Sequence, residues 1–146
     1  MKGLTVKIKL LRPEAKIPVY QQQGDAGFDF YCVEDTVVPA NSIAILPTGV
    51  SMAIPEGYEV QVRLRSGVAL KTPLILANAP GTIDSGFRGE VGILVRNCSS
   101  CDFLVRKGER IAQGVLCRYF SALFDEVANL PESSRDQGGF GSTGKH

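Results

Sequence analysis

Short runs of alternating apolar and polar residues recur along this chain and restrict what it can fold into. In segment 58–64, apolar residues at every second position alternate with Glu59, Gln61 and Arg63, and segment 4–10 repeats the pattern. A period of two places one face of a strand against a core and the other toward water. Turns rich in Pro, Gly and Asn separate the runs about every 8–12 residues, as in sandwiches and barrels of antiparallel strands.

This pattern predicts an all-β fold, an antiparallel jelly-roll-like β-barrel or sandwich. The predicted strands cover residues 4–10, 42–46, 50–54, 58–64, 74–77, 91–96, 102–105 and 111–119. Segment 66–71 is predicted to form a short helical turn. Segment 121–130 fits either a helix or a strand, and an extended path is favoured. We expect one domain over residues 1–130 and a polar, glycine-rich arm over 131–146 that stays mobile until something orders it.

Charge and hydropathy exclude several classes of protein. Sixteen Lys and Arg against fifteen Asp and Glu leave a net charge of +1, far from the basic surface that coats nucleic acid. No apolar run approaches the roughly 18 residues of a membrane span. Lys2, Lys7 and Lys9 lie where a signal peptide has its apolar core. We therefore expect no nucleic-acid partner, no membrane partner and a soluble protein of the cytoplasm.

The cysteines offer a possible metal or redox motif. Cys98 and Cys101 have the CxxC spacing, and the other two cysteines are Cys32 and Cys117. A structural zinc site needs a second pair of ligands, and a thioredoxin-like site needs a βαβ setting, neither of which the sequence provides. The prediction is ordinary thiols, with the CxxC pair at the tip of a hairpin. A local disulfide or an adventitious metal remains the alternative.

Glycines cluster in segment 135–145, RDQGGFGSTGK. Closely spaced glycines let backbone N–H groups converge on phosphate oxygens, and Ser142 and Thr143 add hydroxyl donors. Phe140 is a lone aromatic residue among them, which suits stacking on a flat ring. The alternative interpretation is a disordered tail.

Two further segments carry candidate chemistry. Segment 78–89, NAPGTIDSGFRG, is predicted to be a hairpin with glycines on both sides of its tip, and Asp84 is either a turn former or a general base held at the mouth of a pocket. Segment 65–67 places the Arg65 guanidinium beside the Ser66 hydroxyl and the Gly67 backbone, a combination suited to phosphate. An arginine that closes a strand is otherwise simply a solvated residue.

Taken in order, five segments resemble the five motifs of the trimeric deoxyuridine triphosphate nucleotidohydrolases (dUTPases). The matching segments are residues 26–29 (AGFD), 65–67 (RSG), 81–84 (GTID) with 88–89 (RG), 108–113 (GERIAQ) and 135–144. The resemblance implies a homotrimer with sites shared between subunits. It also implies hydrolysis of dUTP to dUMP and pyrophosphate with Mg²⁺, which keeps uracil out of DNA and supplies dUMP for thymidylate synthesis.

The resemblance further implies a role for individual residues. Asp84 would orient and deprotonate the water that attacks the α-phosphorus, and Asp29 would help to hold Mg²⁺ through its water shell. Phe140 would stack on uracil as the arm closes over the site. The implied phosphate contacts are Arg65, Ser66, Gln113, Arg135, Ser142 and Thr143. The implied lining of the base and sugar pocket is Asn78, Thr82, Ile83 and Gly92. The remaining predicted substrate-binding residues are Gly67, Gly81, Phe87 and Gly141.

Uracil recognition by this hairpin has a physical basis. Uracil carries acceptors and an N–H donor along one edge, which strand-like backbone can pair, whereas cytosine reverses part of the pattern and leaves buried groups unpaired. Phe87 stands where the family usually has a tyrosine against the deoxyribose. Its ring can still block a ribose 2′-hydroxyl, but it lacks the phenolic hydrogen bond, so sugar discrimination is the property that this departure puts in doubt.

Two other functions compete with dUTP hydrolysis. One is a dCTP deaminase-like relative of the same fold, against which stands the complete glycine-rich arm. The other is a nucleotide-sensing binding module that has lost hydrolysis, and the presence of Asp84, Asp29 and the arm disfavours it.

Overall fold

The computed structural model describes residues 3–140 and shows an almost entirely β protein. Over that range the chain forms ten strands and one short helix. The elements are β1 (Lys7–Leu10), β2 (Gly27–Phe30), β3 (Thr36–Val38), β4 (Ile43–Ala53), β5 (Tyr58–Leu64), α1 (Ser66–Lys71), β6 (Leu74–Leu76), β7 (Gly81–Ile83), β8 (Glu90–Asn97), β9 (Phe103–Val105) and β10 (Ala112–Arg118).

Eight of these strands form two four-stranded sheets. The first has the order β1-β4-β8-β6 and the second the order β2-β10-β5-β7, while β3 and β9 form a separate two-stranded sheet. Neighbouring strands are antiparallel in all three sheets. Two antiparallel sheets of four strands are the jelly-roll arrangement, so the predicted fold class is confirmed.

The core lies between the two large sheets, and the alternating sequence pattern explains its composition. On β5, Val60 and Val62 are buried, while Arg63 next to them is exposed. Buried residues also occupy every second position of β8. Three of these β8 residues, Val91, Ile93 and Val95, belong with Val60, Val62 and Phe30 to one apolar cluster that draws on both sheets. Each fully buried side chain of this size contributes roughly 1.5–3 kcal/mol to folding.

Segments 42–46 and 50–54 were predicted as two strands separated by a turn, and this prediction is wrong. They form the single long strand β4, whose pairing with β8 shifts register between Pro47 and Ser51. Inside the irregularity, the Thr48 hydroxyl donates to the Val91 carbonyl at 2.6 Å, and the Gly49 N–H donates to the Glu90 carboxylate at 2.7 Å. These side-chain hydrogen bonds replace the missing ladder bonds, so the strand continues through Pro47.

The predicted hairpin over residues 78–89 is also wrong. β7 pairs with β5, whereas β8 pairs with β4 and β6, so the two strands that flank Asp84 belong to different sheets. Residues 84–89 are therefore a connection between sheets. The sequence shows two strands and a turn, but it does not show which partner each strand takes. By contrast, the helical turn predicted over 66–71 is confirmed as α1.

All four cysteines are free. Cys98 and Cys101 are exposed in the connection from β8 to β9. These strands pair with different partners, so the pair does not lie at a hairpin tip. Within residues 3–140, no group of three or more His, Cys, Asp or Glu residues is placed to hold a metal ion. Cys32 is buried, and burial raises the pKa of its thiol to about 12.

Segment 121–130 forms neither helix nor strand, and residues 131–140 continue without regular structure. Several apolar side chains of Phe120 and of segment 121–130 are largely exposed. They are Phe120 (85%), Leu123 (101%), Phe124 (98%) and Leu130 (84%). An exposed series of this kind is typical of an interaction segment.

Candidate active site

A cleft of about 300 Å³ opens where the two large sheets separate, beside β7 and the first half of β8. The four residues predicted to line the base and sugar pocket all border it, namely Asn78, Thr82, Ile83 and Gly92. The predicted substrate-binding residues Gly81 and Phe87 and the candidate catalytic Asp84 join them. We call this the base cleft. Most of its lining comes from residues 78–94, and Ile45 of β4 and Val62 of β5 complete it, so both large sheets contribute.

Strand edges supply backbone hydrogen-bonding groups to the base cleft. β7 is the last strand of its sheet, so one of its edges has no strand partner. The neighbouring strand β6 pairs only with residues Val95–Asn97 of β8. Within residues 3–140, the part of β8 around Gly92 therefore has no strand partner on that side. Unpaired N–H and C=O groups of this kind are obligatory hydrogen-bonding groups that a planar polar ligand can satisfy.

Glycines keep the base cleft open at its walls. A Cβ on Gly81 would lie 3.1 Å from Val62 Cβ, and one on Gly92 would lie 2.6 Å from Ile45 Cγ2. The Phe87 ring lies against Gly89, where a Cβ would be 2.7 Å from the ring. Because Gly89 has no side chain, the Phe87 ring folds back over the connection and walls the cleft.

Asp84 directly follows β7 at the rim of the base cleft, and it is exposed. Its backbone carbonyl accepts a hydrogen bond from the Phe87 N–H at 3.1 Å. Within residues 3–140, none of the salt bridges involves the Asp84 carboxylate. A carboxylate that is available at the mouth of a cleft can accept a proton from a bound water.

A second cleft of about 400 Å³ lies on the sheet that contains β2, β10 and β5. Asp29, Arg65, Ser66 and Gln113, all predicted to act on phosphate or metal, line it. We call this the phosphate cleft. Asp29, Gln113 and Arg63 are cross-strand partners and form one row over three strands. A Cβ on Gly27 would overlap the Gln113 side chain, so this glycine gives the Gln113 amide its place.

Arg65 is held by two contacts. Its Nε lies 3.1 Å from Asp29 Oδ1, and its Nη1 donates to the Arg110 carbonyl at 3.2 Å. The other oxygen of Asp29, Oδ2, accepts from Arg110 Nη1 at 3.1 Å. Arg65 follows β5 and Arg110 precedes β10, two adjacent antiparallel strands, so the sheet register brings both arginines to the same carboxylate.

The two clefts share none of their lining residues. The structure thus gathers the predicted site residues into two groups without joining them. Gly67 is exposed in α1 beside Ser66, outside the lining of either cleft. Arg135 donates from Nε to the Gly138 carbonyl at 2.8 Å, and Phe140 is fully exposed. The predicted residues Gly141, Ser142 and Thr143 lie outside the described part of the chain.

Several residues of the two clefts were not predicted from the sequence. In the base cleft, Glu90 is a second carboxylate besides Asp84, but its Oε1 accepts from the Gly49 N–H, and its Oε2 lies 3.9 Å from an Arg12 nitrogen. Arg63 also lines the phosphate cleft. It lies two positions before Arg65, on the same face of an extended chain, so the alternation of β5 could have predicted that the two arginines lie side by side. Arg110 lines neither cleft, and nothing in the sequence alone indicates its position beside Asp29.

The carboxylates of the phosphate cleft bear on its fit to Mg²⁺, and they are Asp25 and Asp29. Asp25 Oδ2 accepts from the Gln22 N–H at 2.9 Å, and Asp29 accepts from two arginines. A resident cation would need more oxygen ligands than these. Mg²⁺ usually keeps several waters and binds through one or two carboxylates together with substrate phosphates. The donor set therefore fits a cation that arrives with a phosphate ligand.

In the described part of the chain, no helix has the length and apolar character needed to cross a membrane.

Comparison with known proteins gives a consistent result. The family model described as dUTPase matches residues 13–144. The chain is 46% identical to the deoxyuridine 5′-triphosphate nucleotidohydrolase of Wolinella succinogenes, over 99% of this chain and 97% of that one. It is also 46% identical to the enzyme of the same name from Clostridium tetani, over 99% and 100% of the two chains.

Solved structures agree with these sequence relatives. A mutant dUTPase of Staphylococcus bacteriophage 80alpha with dUpNHpp superposes with a TM-score of 0.89 at 29% identity, over 97% of this chain and 99% of that one. A mutant dUTPase from phage phi11 of S. aureus, described with a structural Mg(II) ion, has a TM-score of 0.80 at 25% identity, over 86% and 98% of the two chains.

An antiparallel jelly roll with these motifs defines an enzyme of the nucleotide hydrolase class. The chain belongs to the dUTPase family. The predictions of this family and of its enzyme class, dUTP diphosphatase, are confirmed.

Proposed function

We propose that this protein hydrolyses dUTP to dUMP and pyrophosphate. The observation that carries the proposal is Asp84, an exposed carboxylate at the rim of a cleft whose walls present strand edges. Family membership supports the substrate and the reaction. In this role the enzyme keeps uracil out of DNA and supplies dUMP for thymidylate synthesis.

The base cleft receives uracil and deoxyribose. The free edge of β7 and the open stretch of β8 near Gly92 pair the polar edge of uracil, while Asn78 and Thr82 add side-chain groups. The Phe87 ring packs against the sugar. Cytosine in this position leaves backbone groups buried and unpaired, which favours uracil.

Asp84 acts as the general base. A water held by its carboxylate attacks the α-phosphorus, Asp84 accepts the water proton, and the bond from the α-phosphorus to its bridging oxygen breaks to release pyrophosphate. General-base help contributes roughly 10²–10⁴-fold, or about 3–5.5 kcal/mol. Most of the total reduction of the barrier, roughly 8–23 kcal/mol in enzymes, must therefore come from alignment and charge neutralisation.

The phosphate cleft supplies that neutralisation. Arg65, Ser66 and Gln113 line it and offer a guanidinium, a hydroxyl and an amide to phosphate oxygens. Mg²⁺ arriving with the triphosphate would supply Lewis-acid polarisation and further charge neutralisation. Asp29, which lines the same cleft, would help to hold that ion through its water shell.

Residues 131–146 form the arm of the enzyme, and residues 1–130 form its β domain. The arm closes over a bound nucleotide, with Phe140 stacked on uracil and with Arg135, Ser142 and Thr143 against the phosphates. The Phe140 side chain is fully exposed and packs against nothing within residues 3–140. This supports a role in which a ligand or a neighbouring chain covers the ring. Closure of such a segment excludes water and completes the site.

The active unit is a homotrimer whose sites are shared between subunits. The separation of the base cleft from the phosphate cleft within one chain supports this arrangement, because a single triphosphate must engage both. Exposed apolar residues support it further. They include Ile43 (57%) and Ile75 (49%) on one sheet, together with the exposed series from Phe120 to Leu130.

The direct test is incubation with dUTP and Mg²⁺, followed by separation of dUMP and measurement of pyrophosphate. Equimolar release of both products supports the proposal, and intact dUTP contradicts it. Parallel reactions with dCTP monitor ammonia, whose release would instead indicate a deaminase. Binding of dUTP without any turnover would indicate the sensing module.

Sharing of sites is tested separately. Light scattering should give a mass three times the 15.7 kDa of the chain. Asp84→Asn and Arg65→Gln subunits, each inactive alone, should recover activity when unfolded together and refolded as mixed oligomers. Without recovery, both residues would have to act from the same chain.

A further inference from the structure

Asp29 is a buried carboxylate that contacts two arginines at the edge of the phosphate cleft. Its side chain is 7% exposed, with Oδ1 3.1 Å from Arg65 Nε and Oδ2 3.1 Å from Arg110 Nη1. Arg65 and Asp29 line the cleft, whereas Arg110 does not. Arg110 therefore has no direct contact with a phosphate in this cleft, although Asp29 connects it to Arg65, which does line the cleft.

Asp29 has two opposing effects on an anion at Arg65. By accepting from Nε, it fixes the guanidinium, and the Arg110 carbonyl at 3.2 Å from Nη1 fixes it further. Nη2 then remains without a hydrogen bond to residues 3–140. However, a buried carboxylate beside a single arginine also cancels its positive charge, which weakens the attraction for phosphate.

We propose that Arg110 is a positioning residue that neutralises Asp29, so that Asp29 can hold Arg65 in place while Arg65 keeps its charge for phosphate. With both arginines present, the cluster of Arg65, Asp29 and Arg110 carries one net positive charge. Without Arg110 it carries none. The inference rests on the proposed function in taking the anion to be a triphosphate.

The sequence places these three residues far apart, and the sheet register brings them together. Asp29 is the cross-strand partner of Gln113 on β10, and Arg63 is the partner of Gln113 on the other side. Arg65 directly follows β5 and Arg110 lies just before β10, at the same edge of the sheet, where the Arg65 N–H donates to the Ile111 carbonyl at 3.0 Å. The two guanidinium groups therefore approach Asp29 from adjacent chain segments.

The test measures the affinity of inorganic tripolyphosphate by calorimetry in the presence of EDTA, so that neither the metal nor the base contributes. Arg110→Gln should weaken binding about tenfold. Asp29 would then cancel the charge of Arg65, and the charge-assisted contact between Arg65 and phosphate would be weakened. Arg110→Lys keeps the charge and should stay within about threefold of the wild type. Arg12→Gln is the matched control, since Arg12 is similarly exposed and ion-paired, to Glu34 at 2.6 Å, outside the phosphate cleft.

A double-mutant cycle with Asp29→Asn separates neutralisation from direct phosphate contact. Asn keeps an acceptor for Arg65 Nε but carries no charge. In the wild type the Asp29 charge is paired by Arg110, which does not line the cleft, so Asp29→Asn alone should change the affinity less than about threefold. In the Arg110→Gln background Asp29 pairs with Arg65 alone, so Asp29→Asn should recover most of the tenfold loss. If Asp29→Asn has the same effect in both backgrounds, Arg110 acts independently of Asp29 and the inference is overturned.

Other outcomes also decide the question. Equal affinities of the Arg110→Gln and Arg12→Gln proteins would overturn the inference, as would a tenfold loss in Arg110→Lys. If Arg110→Gln does not fold, Arg110→Lys and the double variant Asp29→Asn with Arg110→Gln still have to bind within about threefold of the wild type. A wild-type protein that binds tripolyphosphate but leaves dUTP intact would refute the proposed function and leave this inference standing. Failure to bind tripolyphosphate would overturn the inference itself.

Discussion

Gly92 and Ile45 meet across β8 and β4 so closely that a Cβ on Gly92 would lie 2.6 Å from Ile45 Cγ2. Both residues line the base cleft. Ile45 is 61% exposed, so its side chain can turn away from a methyl group added at position 92 at little cost to folding. Because Ile45 lines the base cleft, this movement displaces its side chain into the space of the cleft. The contact therefore links a single backbone position to the width of the base cleft.

Gly92→Ala should weaken deoxyuridine nucleotide binding about tenfold, because the displaced Ile45 side chain narrows the cleft. The thermal midpoint should change by only a few degrees. Adding Ile45→Ala removes the clashing methyl group and should restore most of the affinity. Titration of dUMP by calorimetry checks both variants, and unchanged binding in Gly92→Ala would show that the base does not enter this cleft.

Asp84→Asn should lower turnover by at least about 10²-fold while leaving affinity for a non-hydrolysable dUTP analogue largely intact, because only the base is removed. Pyrophosphate release measures turnover, and calorimetry measures binding. Ser85→Ala is a neighbouring control, because the Ser85 contact to Arg88 Nη1 at 2.6 Å uses the backbone carbonyl. Near-normal turnover in Asp84→Asn would remove Asp84 from the mechanism.

Removal of residues 135–146 should abolish most turnover and leave folding intact. Residues 121–140 contribute none of the buried core side chains, so the truncated protein should unfold within a few degrees of the full chain. Calorimetry and pyrophosphate release provide the two readouts. A truncated chain that fails to fold would show that the arm is structural.

Phe87→Tyr should sharpen discrimination between deoxyribose and ribose, because the phenolic hydroxyl adds a hydrogen-bonding group to the ring that walls the base cleft. The measurement is the ratio of kcat/KM for dUTP to that for UTP, with an expected increase of roughly 3–10-fold, about the worth of one hydrogen bond. Phe87→Leu, which loses the ring, should lower the ratio. A ratio that is the same for all three proteins would exclude the residue from sugar selection.

The buried Cys32 thiol predicts a loss of stability at alkaline pH. Burial, with the Glu109 charge as a smaller cause, raises its pKa from the ordinary 9.0 to about 12. The folded state therefore holds a proton that the unfolded state loses above pH 9. The resulting stabilisation is complete below that pH and falls by up to about 1.4 kcal/mol per unit as the pH rises toward 12.

Urea unfolding between pH 8 and 10.5 measures this slope, and Cys32→Ala should flatten it. A slope equal in both proteins would show that other groups govern alkaline unfolding. Thiol labelling of the folded protein at pH 8 should modify the exposed Cys98 and Cys101 while sparing Cys32 until the chain unfolds.

Local pattern was sufficient for much of the fold. The alternation in segment 58–64 predicted β5 with its observed bounds, and the interruption after Arg65 predicted α1. Local pattern misjudged β4 because Pro47 and Gly49 are turn residues in most settings. Here the Thr48 hydroxyl and the Glu90 carboxylate satisfy the backbone through a register shift. Those contacts join β4 to β8, more than forty residues away along the chain.

The motifs of the candidate site, with Asp84 and Arg65 among their residues, could be identified from the sequence because glycines, carboxylates and arginines at these spacings serve chemistry that few other patterns serve. Their arrangement in space could not. The sequence suggested a hairpin around Asp84, whereas β7 and β8 belong to different sheets and a cleft opens between them.

The sequence by itself determined most of the strands, because side-chain periodicity and turn chemistry are local, although it missed β2 and β3 and divided β4. It also determined the family and the residue types of the candidate site, through the order and residues of the five motifs. Only the tertiary structure decided that the site residues fall into two separate clefts and that Arg110 shares Asp29 with Arg65. The reason is that strand pairing joins residues through hydrogen bonds whose partners are far apart in the chain. No local pattern records which strand will be the neighbour.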